Sequence, residues 1–208
     1  MEKRKYALNL LRKAKADHAE NYMILAVPGF ITKKFRGYCA MREDLLLALE
    51  YIDRILVEQD SITRSALNYA LIALYGKCFT DASQYKAPKL DRESINDVAM
   101  QETHDYLMEL RHKFIAHRGD TVNEVGIAVM LVPKQGPEPT SMRYKQSKRM
   151  SLSGHRLQQA HALITFLIGH VEQKIRQTGQ KAHDFYLNEF TPEQLAAMAI
   201  NNMVEEQE

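Results

Sequence analysis

The side chains best suited to chemistry lie in one short segment of the 208-residue chain. Arg111 to Arg118 contains two arginines, one lysine and two histidines, and apolar residues flank and interrupt it. An imidazole, with an unperturbed pKa of about 6.5, exchanges a proton near neutral pH. A guanidinium can hold two phosphate oxygens at once. Together these groups suffice for phosphodiester chemistry without a metal.

Other common catalytic and metal-binding patterns are missing from the sequence. It contains no GxGxxG, HExxH or GxSxG motif, and Gly76-Lys77 lacks the upstream glycine and the following Ser or Thr of a phosphate-binding loop. None of the eight histidines pairs with another at the i, i+4 spacing of a helical metal site. Cys39 and Cys78 form no CxxC pair. We therefore expect no metal and no cofactor.

The segment LRHKFIAHRG resembles the motif of the HEPN superfamily, in which an arginine is followed by four to six residues, the first of them polar, and then a histidine. Here Arg111 and His117 are five residues apart, and His112 fills the polar position. The upstream segment ALYGKCF also resembles the helix that precedes this motif in the abortive-infection-type branch. The resemblance covers roughly residues 41 to 178.

The resemblance implies a homodimeric helical domain that cleaves RNA without a metal. His117 would take the proton of the ribose 2′-hydroxyl or protonate the departing 5′ oxygen. Arg111 would stabilise the charge that develops on the phosphorane. His112 would orient a phosphate or carry a second proton, while Lys113 and Arg118 would hold the strand without reading its sequence.

The implied setting is a toxin–antitoxin or phage-defence system, with RNA and an antitoxin or regulatory protein as partners. The alternative function is a noncatalytic HEPN-like module that binds RNA, a nucleotide or a partner protein. A purely structural helical protein is a third possibility. The motif residues would then serve only in packing and capping.

The spacing of Arg111 and His117 does not fix their relative orientation. On an unbroken α-helix six residues turn about 600°, so Arg111 and His117 lie about 120° apart around the axis. Either the helix ends before His117, as Gly119 suggests, or the same helix of a second subunit completes the site across a two-fold axis.

Each motif residue also has a structural interpretation. His117 continues the apolar stripe of Leu107, Leu110 and Phe114, and would then be a histidine of the core. Arg111 and Arg118 would instead interact with carbonyl groups at the helix C-terminus, where cations are favoured.

A second basic patch lies between Pro133 and Arg156, which contain six basic residues and one acidic residue. Four of the basic residues are candidates for binding an RNA backbone: Arg143, Lys145, Lys148 and Arg149. Tyr144 lies among them and could stack on a base. The alternative is a solvated hairpin arm with no ligand.

The elements that position these residues are expected to be mostly helical, since the chain has only 9 glycines and 6 prolines. Apolar periodicity predicts helices over 41–59 and 157–175, a helix from the N-cap Ser61 towards Phe79, and another starting near Ser94. Basic residues without Gly or Pro predict a helix over the first twenty residues, and Thr191-Pro192 predicts a short terminal helix.

Between these helices, alternating apolar residues predict a β-hairpin over 124–152 whose second strand comes from 143–152. The expected fold class is mostly α, a HEPN-like antiparallel helical bundle with an inserted β-hairpin. We expect a single domain over 1–208 and a flexible acidic tail over 203–208.

Composition also limits the location and the partners. A formal net charge of +2 is too balanced for a polycationic nucleic-acid binder. The longest apolar run, Tyr69 to Tyr75, is far shorter than the roughly 18 residues of a membrane span. With two cysteines and no signal-peptide core, the expected location is the cytoplasm.

Overall fold

The computed structural model describes residues 2–25, 27, 29, 31–85, 87–116, 124–136, 139–148 and 151–198, with the backbone alone at 2–4, 85, 114–116, 124 and 148. The described helices are α1 Glu2–His18, α2 Lys33–Val57, α3 Ser61–Cys78, α4 Val98–Glu109, α5 Gly154–Glu189 and α6 Pro192–Ala197. Two strands, β1 Glu124–Leu131 and β2 Ser141–Lys148, form an antiparallel sheet. The prediction of a mostly helical chain with a hairpin is confirmed, while the predicted tail 203–208 lies outside the described residues.

The chain divides into two compact units. The first unit combines Met1–Arg36 with Lys174–Glu208, and the second is Gly37–Gln173. In the first unit, an apolar cavity of about 310 Å³ is lined by Leu25, Phe35, Tyr186 and others. The predicted short terminal helix is confirmed in this unit as α6, and Thr191 and Gln194 form a reciprocal capping box at its start.

The core of the second unit is built from the faces that apolar periodicity predicts. In α2 the buried residues follow the helical period: Met41, Leu45, Ala48, Ile52 and Ile55. In α5 the same holds for the fully or nearly fully buried Leu157, Ala160, Ile164, Leu167 and Val171. One face of each helix is therefore removed from water, which is the main favourable contribution to folding.

Two helix starts differ from the prediction. The N-cap of α3 is Asp60 and not Ser61, since the Asp60 carboxylate accepts the backbone N–H of Thr63 at 2.6 Å. The N-cap of α4 is Asp97, which accepts from Met100 N–H at 2.8 Å. Ser94 belongs instead to a short 3₁₀ turn. An aspartate just before a helix competes well with a nearby serine because its charge also favours the helix N-terminus.

The two long helices are longer than predicted, although α2 ends at Val57, two residues before its predicted end. α2 begins at Lys33, eight residues before the predicted start, although Gly37 lies in that stretch. The absence of a Cβ at Gly37 admits the ring of Pro88, whose Cδ would lie 2.3 Å from such an atom. α5 spans 36 residues, more than its apolar stripe predicts. No helix in the described part of the chain is long and apolar enough to cross a membrane.

The hairpin has a continuous register from Glu124 opposite Lys148 to Leu131 opposite Ser141. Its second strand ends at Lys148, so the predicted extension to Leu152 is wrong. Leu152 is buried, and its backbone N–H donates to the Oδ1 of Asn68 in α3 at 3.0 Å. This bond occupies the N–H with a helix side chain, so Leu152 belongs to the helical core.

A buried polar contact joins α3 to α4. The hydroxyl of Tyr75 and Nδ1 of His104 lie 2.7 Å apart, and both residues are buried. The ring of Phe79 packs on His104 with centroids 4.4 Å apart. Burial lowers the pKa of His104 and raises the pKa of Tyr75. Both side chains are therefore neutral at neutral pH in the folded protein.

The lowered pKa of His104 predicts that acid weakens the fold. In the unfolded chain His104 takes up a proton near pH 6.5, whereas the folded chain resists protonation. The free energy of unfolding should therefore fall as the pH drops below about 6.5, until the folded-state pKa is passed. Urea denaturation between pH 7.5 and pH 5 measures this dependence.

The matched control is His104→Asn, which keeps a polar side chain that does not titrate. Its free energy of unfolding should depend less on pH over the same range. An equal pH dependence in the variant and the wild type would contradict the assignment to His104.

Candidate active site

The motif segment does not continue α4 as an α-helix. Regular α-helical geometry ends at Glu109, and Leu110–Ala116 forms a π-helical turn, which hydrogen-bonds with i→i+5 spacing. The turn packs against both α3 and α4. The α-helix therefore ends before His117, one of the two alternatives that the spacing left open, and the angle of about 120° for an unbroken α-helix does not apply. Wide turns of this kind are frequent at functional sites.

Arg111 lies across α3 where that helix has a glycine. A Cβ at Gly76 would be 1.9 Å from Cδ and 2.6 Å from Nε of Arg111, distances that no real pair of atoms adopts. Gly76 is buried in the second half of α3. The two segments that carry the resemblance, ALYGKCF and LRHKFIAHRG, are therefore in direct contact.

Arg111 as a whole residue is half-buried. No hydrogen bond or ion pair joins it to any of the residues that the structure describes. Its aliphatic part packs on α3, which limits the freedom of the side chain. An arginine held by its stem with an unpaired head group is suited to bind an anion.

The neighbouring motif residues differ in their surroundings. His112 is exposed on the π-helical turn. Lys113 is also exposed, and its Nζ lies 2.9 Å from the Glu109 carboxylate one turn earlier. A surface ion pair of this kind contributes little to stability, but it offsets part of the positive charge expected of Lys113. His117 and Arg118 lie outside the described residues.

The hairpin cations are separate from this turn. Arg143 and Lys145 are exposed on one face of β2, opposite Val129 and Ile127 of β1. No hydrogen bond, ion pair or ring contact links either cation to Arg111 in the described part of the chain. The side chain of Lys148 and the whole of Arg149 are not described.

Tyr144, the candidate for base stacking, lies over Gly126 across the hairpin. A Cβ at Gly126 would be 1.9 Å from the Tyr144 hydroxyl and 2.7 Å from its ring Cε2. An aromatic residue that covers a glycine on the neighbouring strand stabilises the pairing. Tyr144 thus has a structural role within the hairpin itself.

Sequence reasoning placed Arg156 in the hairpin patch, but its head group contacts α4. The guanidinium carbon lies 4.5 Å from the centroid of the Tyr106 ring, and Nη1 donates to the Gln159 Oε1 at 3.1 Å. These contacts hold Arg156 at the start of α5 by a cation–π interaction. No local sequence pattern pairs residues 50 positions apart.

Sequence reasoning also missed the support behind Arg111. Tyr75, next to Gly76, bonds His104 in the core, and Lys77 forms a 2.7 Å ion pair with Asp44 of α2. Burial, with a further contribution from Asp44, raises the pKa of Cys78 to about 12, so this thiol is protonated at neutral pH and is a poor nucleophile. The segment 75–78 thus fixes α3 against its neighbours and leaves Gly76 as the contact surface for Arg111.

The described residues contain no group of three His, Cys, Asp or Glu side chains arranged to hold a metal ion. Comparisons with models of protein families, with curated proteins and with solved structures found no match to the chain. The HEPN-like function therefore remains a prediction from the motif.

The contact between Arg111 and Gly76 predicts an unusual effect of alanine. Alanine normally stabilises a helix interior by about 0.8–1.0 kcal/mol relative to glycine. Gly76→Ala should instead lower the free energy of unfolding by about 1–2 kcal/mol, because the new methyl group overlaps Arg111. Adding Arg111→Ala should restore stability, since it removes the overlapping atoms.

Gly169→Ala is the matched control in α5, because a Cβ at that position meets no atom within 4 Å. Urea denaturation should show that this variant is neutral or more stable than the wild type. Equal stabilisation by Gly76→Ala and Gly169→Ala would contradict the close approach of Arg111 to α3.

Proposed function

We propose that the protein is a metal-independent endoribonuclease of the toxin–antitoxin or phage-defence type, built as a HEPN-like antiparallel helical bundle. The observation that carries the proposal is Arg111. It starts the Arg-x5-His motif on a π-helical turn, is held by its stem on Gly76, and has no polar partner among the described residues. A buried or paired arginine in this position would count against it.

The reaction that suits these groups begins at the ribose 2′-hydroxyl. His117 takes the hydroxyl proton while the 2′ oxygen attacks the adjacent phosphorus and the bond to the 5′ oxygen breaks. A proton returned to the 5′ oxygen, from His117 or from His112, completes the step. Arg111 stabilises the negative charge that develops on the phosphorane. The products are a 2′,3′-cyclic phosphate and a 5′-hydroxyl, and DNA is not cut because it lacks the attacking group.

The position of the motif also suits a site shared by two copies. In this proposal the chain is a homodimer and each π-helical turn contributes to a common groove that binds RNA. An antitoxin or other regulatory protein would hold such an enzyme inactive until it is needed.

A second function is favoured by a different observation. Arg143 and Lys145 are exposed and project from the hairpin, whereas the charge of Lys113 is offset by Glu109. A noncatalytic HEPN-like module that binds RNA through its hairpin would use these two cations to contact phosphates.

The ribonuclease proposal predicts cleavage of single-stranded RNA in the presence of EDTA. Removal of the proton carrier in His117→Ala should lower the rate by about 10²–10⁴-fold. Arg111→Ala should lower it by about 10²–10³-fold, because charge on the phosphorane is no longer stabilised. Gel analysis of labelled RNA measures the rate, and the end groups should be a 2′,3′-cyclic phosphate and a 5′-hydroxyl.

Arg54→Ala is the control for a lost arginine, because Arg54 is an exposed residue of α2 paired only with Glu58 among the described residues. It should cleave at the wild-type rate, and an RNA with a single 2′-deoxy position should resist cleavage there. Equal cleavage by wild type, Arg111→Ala and His117→Ala would reveal a contaminating nuclease and refute the proposal.

The binding function predicts a salt-dependent contribution from the hairpin. Each phosphate contact on a single strand contributes about 0.7 to the slope of log affinity against log salt. Replacing both Arg143 and Lys145 with glutamine should therefore weaken RNA binding and reduce the slope by about 1.4. Fluorescence anisotropy over a salt series gives both values.

The control replaces Lys5 and Lys13 of α1, which are also exposed, with glutamine. The total charge changes equally in the two double variants. If they weaken binding equally, the hairpin makes no specific contribution and acts only through net charge.

A further inference from the structure

A polar cavity of about 600 Å³ lies along the first half of α3, within the second unit. It is lined from α3 by Ser61, Ser65 and Tyr69, and from the segment before α5 by Ser151. The spacing of the three α3 residues places them on one face of the helix, over about 12 Å of its length. Small-molecule sites commonly have volumes of about 300–1,000 Å³. The cavity therefore has the size of such a site.

One hydroxyl group of this cavity is buried without a partner. Ser65 is 7% exposed, and its Oγ forms no hydrogen bond in the described part of the chain. Buried hydroxyl groups are nearly always paired, because water no longer reaches them. In α4 and α5, Thr103 and Thr178 donate to the carbonyl four residues earlier at 2.9 Å and 2.7 Å, and Ser65 makes no such bond. The Ser65 hydroxyl is therefore available to a ligand.

Arg64 gives the cavity a positive charge. Its Nε donates to the carbonyl oxygen of Glu58 at 3.1 Å, and its Nη2 donates to the same oxygen. A guanidinium group has five N–H donors, so these two bonds hold the group in place and leave the other donors without a partner among the described residues. A fixed guanidinium with unused donors favours an anionic ligand. The described lining residues include no Asp or Glu that would hold a cation.

We propose that this cavity binds a small molecule with one oxyanion group on a hydroxylated body, of the size of a sugar phosphate or a sugar acid. Arg64 donates to the oxyanion. The Ser65 hydroxyl bonds the same group or a neighbouring hydroxyl of the ligand. Ser61 and Ser151 bond further ligand hydroxyls, and the ring of Tyr69 covers the C–H groups of the body.

The cavity fits other ligands less well. An inorganic anion alone would fill only a small part of the 600 Å³. A purely apolar ligand would leave the Ser65 hydroxyl and the head group of Arg64 without partners, which opposes binding. The inference is independent of the ribonuclease proposal, since Gly76, where Arg111 packs, lies about 16 Å further along α3 than Ser65.

Isothermal titration calorimetry of the full chain tests the site with four probes: glucose 6-phosphate, gluconate, glucose and inorganic phosphate. Glucose 6-phosphate or gluconate should bind at least tenfold more tightly than both glucose and inorganic phosphate. The tighter of the two charged sugars shows whether the oxyanion is a phosphate or a carboxylate. If neither binds, or if glucose binds as tightly as both, the inference is wrong.

Two variants locate the binding in this cavity. Arg64→Gln should weaken binding of the charged sugar at least tenfold, because a hydrogen-bonded charge is lost, and Ser65→Ala should weaken it about threefold to tenfold. The controls are Lys5→Gln and Ser147→Ala, which make the same kinds of change at exposed positions outside the cavity. Wild-type affinity in Ser65→Ala or Arg64→Gln would overturn the inference.

Thermal unfolding separates binding by Ser65 from a structural role. Without ligand, Ser65→Ala should keep or raise the melting temperature, because the hydroxyl that it removes is buried and unpaired in the described part of the chain. With the charged sugar in excess, the melting temperature should rise more for the wild type than for the variant. A lower melting temperature for free Ser65→Ala would show that the hydroxyl stabilises the fold, which would contradict the proposal.

Discussion

The contact between Arg111 and Gly76 is the constraint on which the candidate site depends. Arg111 can approach α3 this closely only because residue 76 has no Cβ, since a Cβ there would lie 1.9 Å from Cδ of Arg111. Arg111 lies on the π-helical turn, and its stem reaches α3 while the residue as a whole stays half-buried. The position of its side chain thus follows from one packing contact.

The helical core behind this contact is fixed more firmly than the site itself. Tyr75 and His104 form a buried hydrogen bond on the inner side of α3, while Lys77 pairs with Asp44. Tyr75 and Lys77 flank Gly76 in the sequence, and their contacts hold α3 against α4 and α2. A rigid support beneath a half-exposed arginine lowers the entropy lost when an anion binds. The hairpin, by contrast, exposes apolar residues such as Val125 and Ile127, each 56% exposed.

Apolar periodicity predicted the buried faces of α2 and α5, and alternation predicted the hairpin, because burial of one face is written into local spacing. The helix starts were less predictable. Asp60 and Ser61 are both acceptable caps, and the choice depended on which side chain reaches the free N–H of Thr63. The end of β2 was missed because Leu152 bonds Asn68, a residue that is far away in the sequence.

The sequence by itself determined which side chains are available for chemistry, because the presence of an arginine and two histidines in one motif depends only on residue types and their order. It also determined the helical content, because hydrophobic periodicity is local. Only the tertiary structure decided that Arg111 rests on Gly76, that Arg156 stacks on Tyr106, and that Lys113 pairs with Glu109. Such contacts depend on which helices pack together and at what distance, and no local pattern encodes a separation in space.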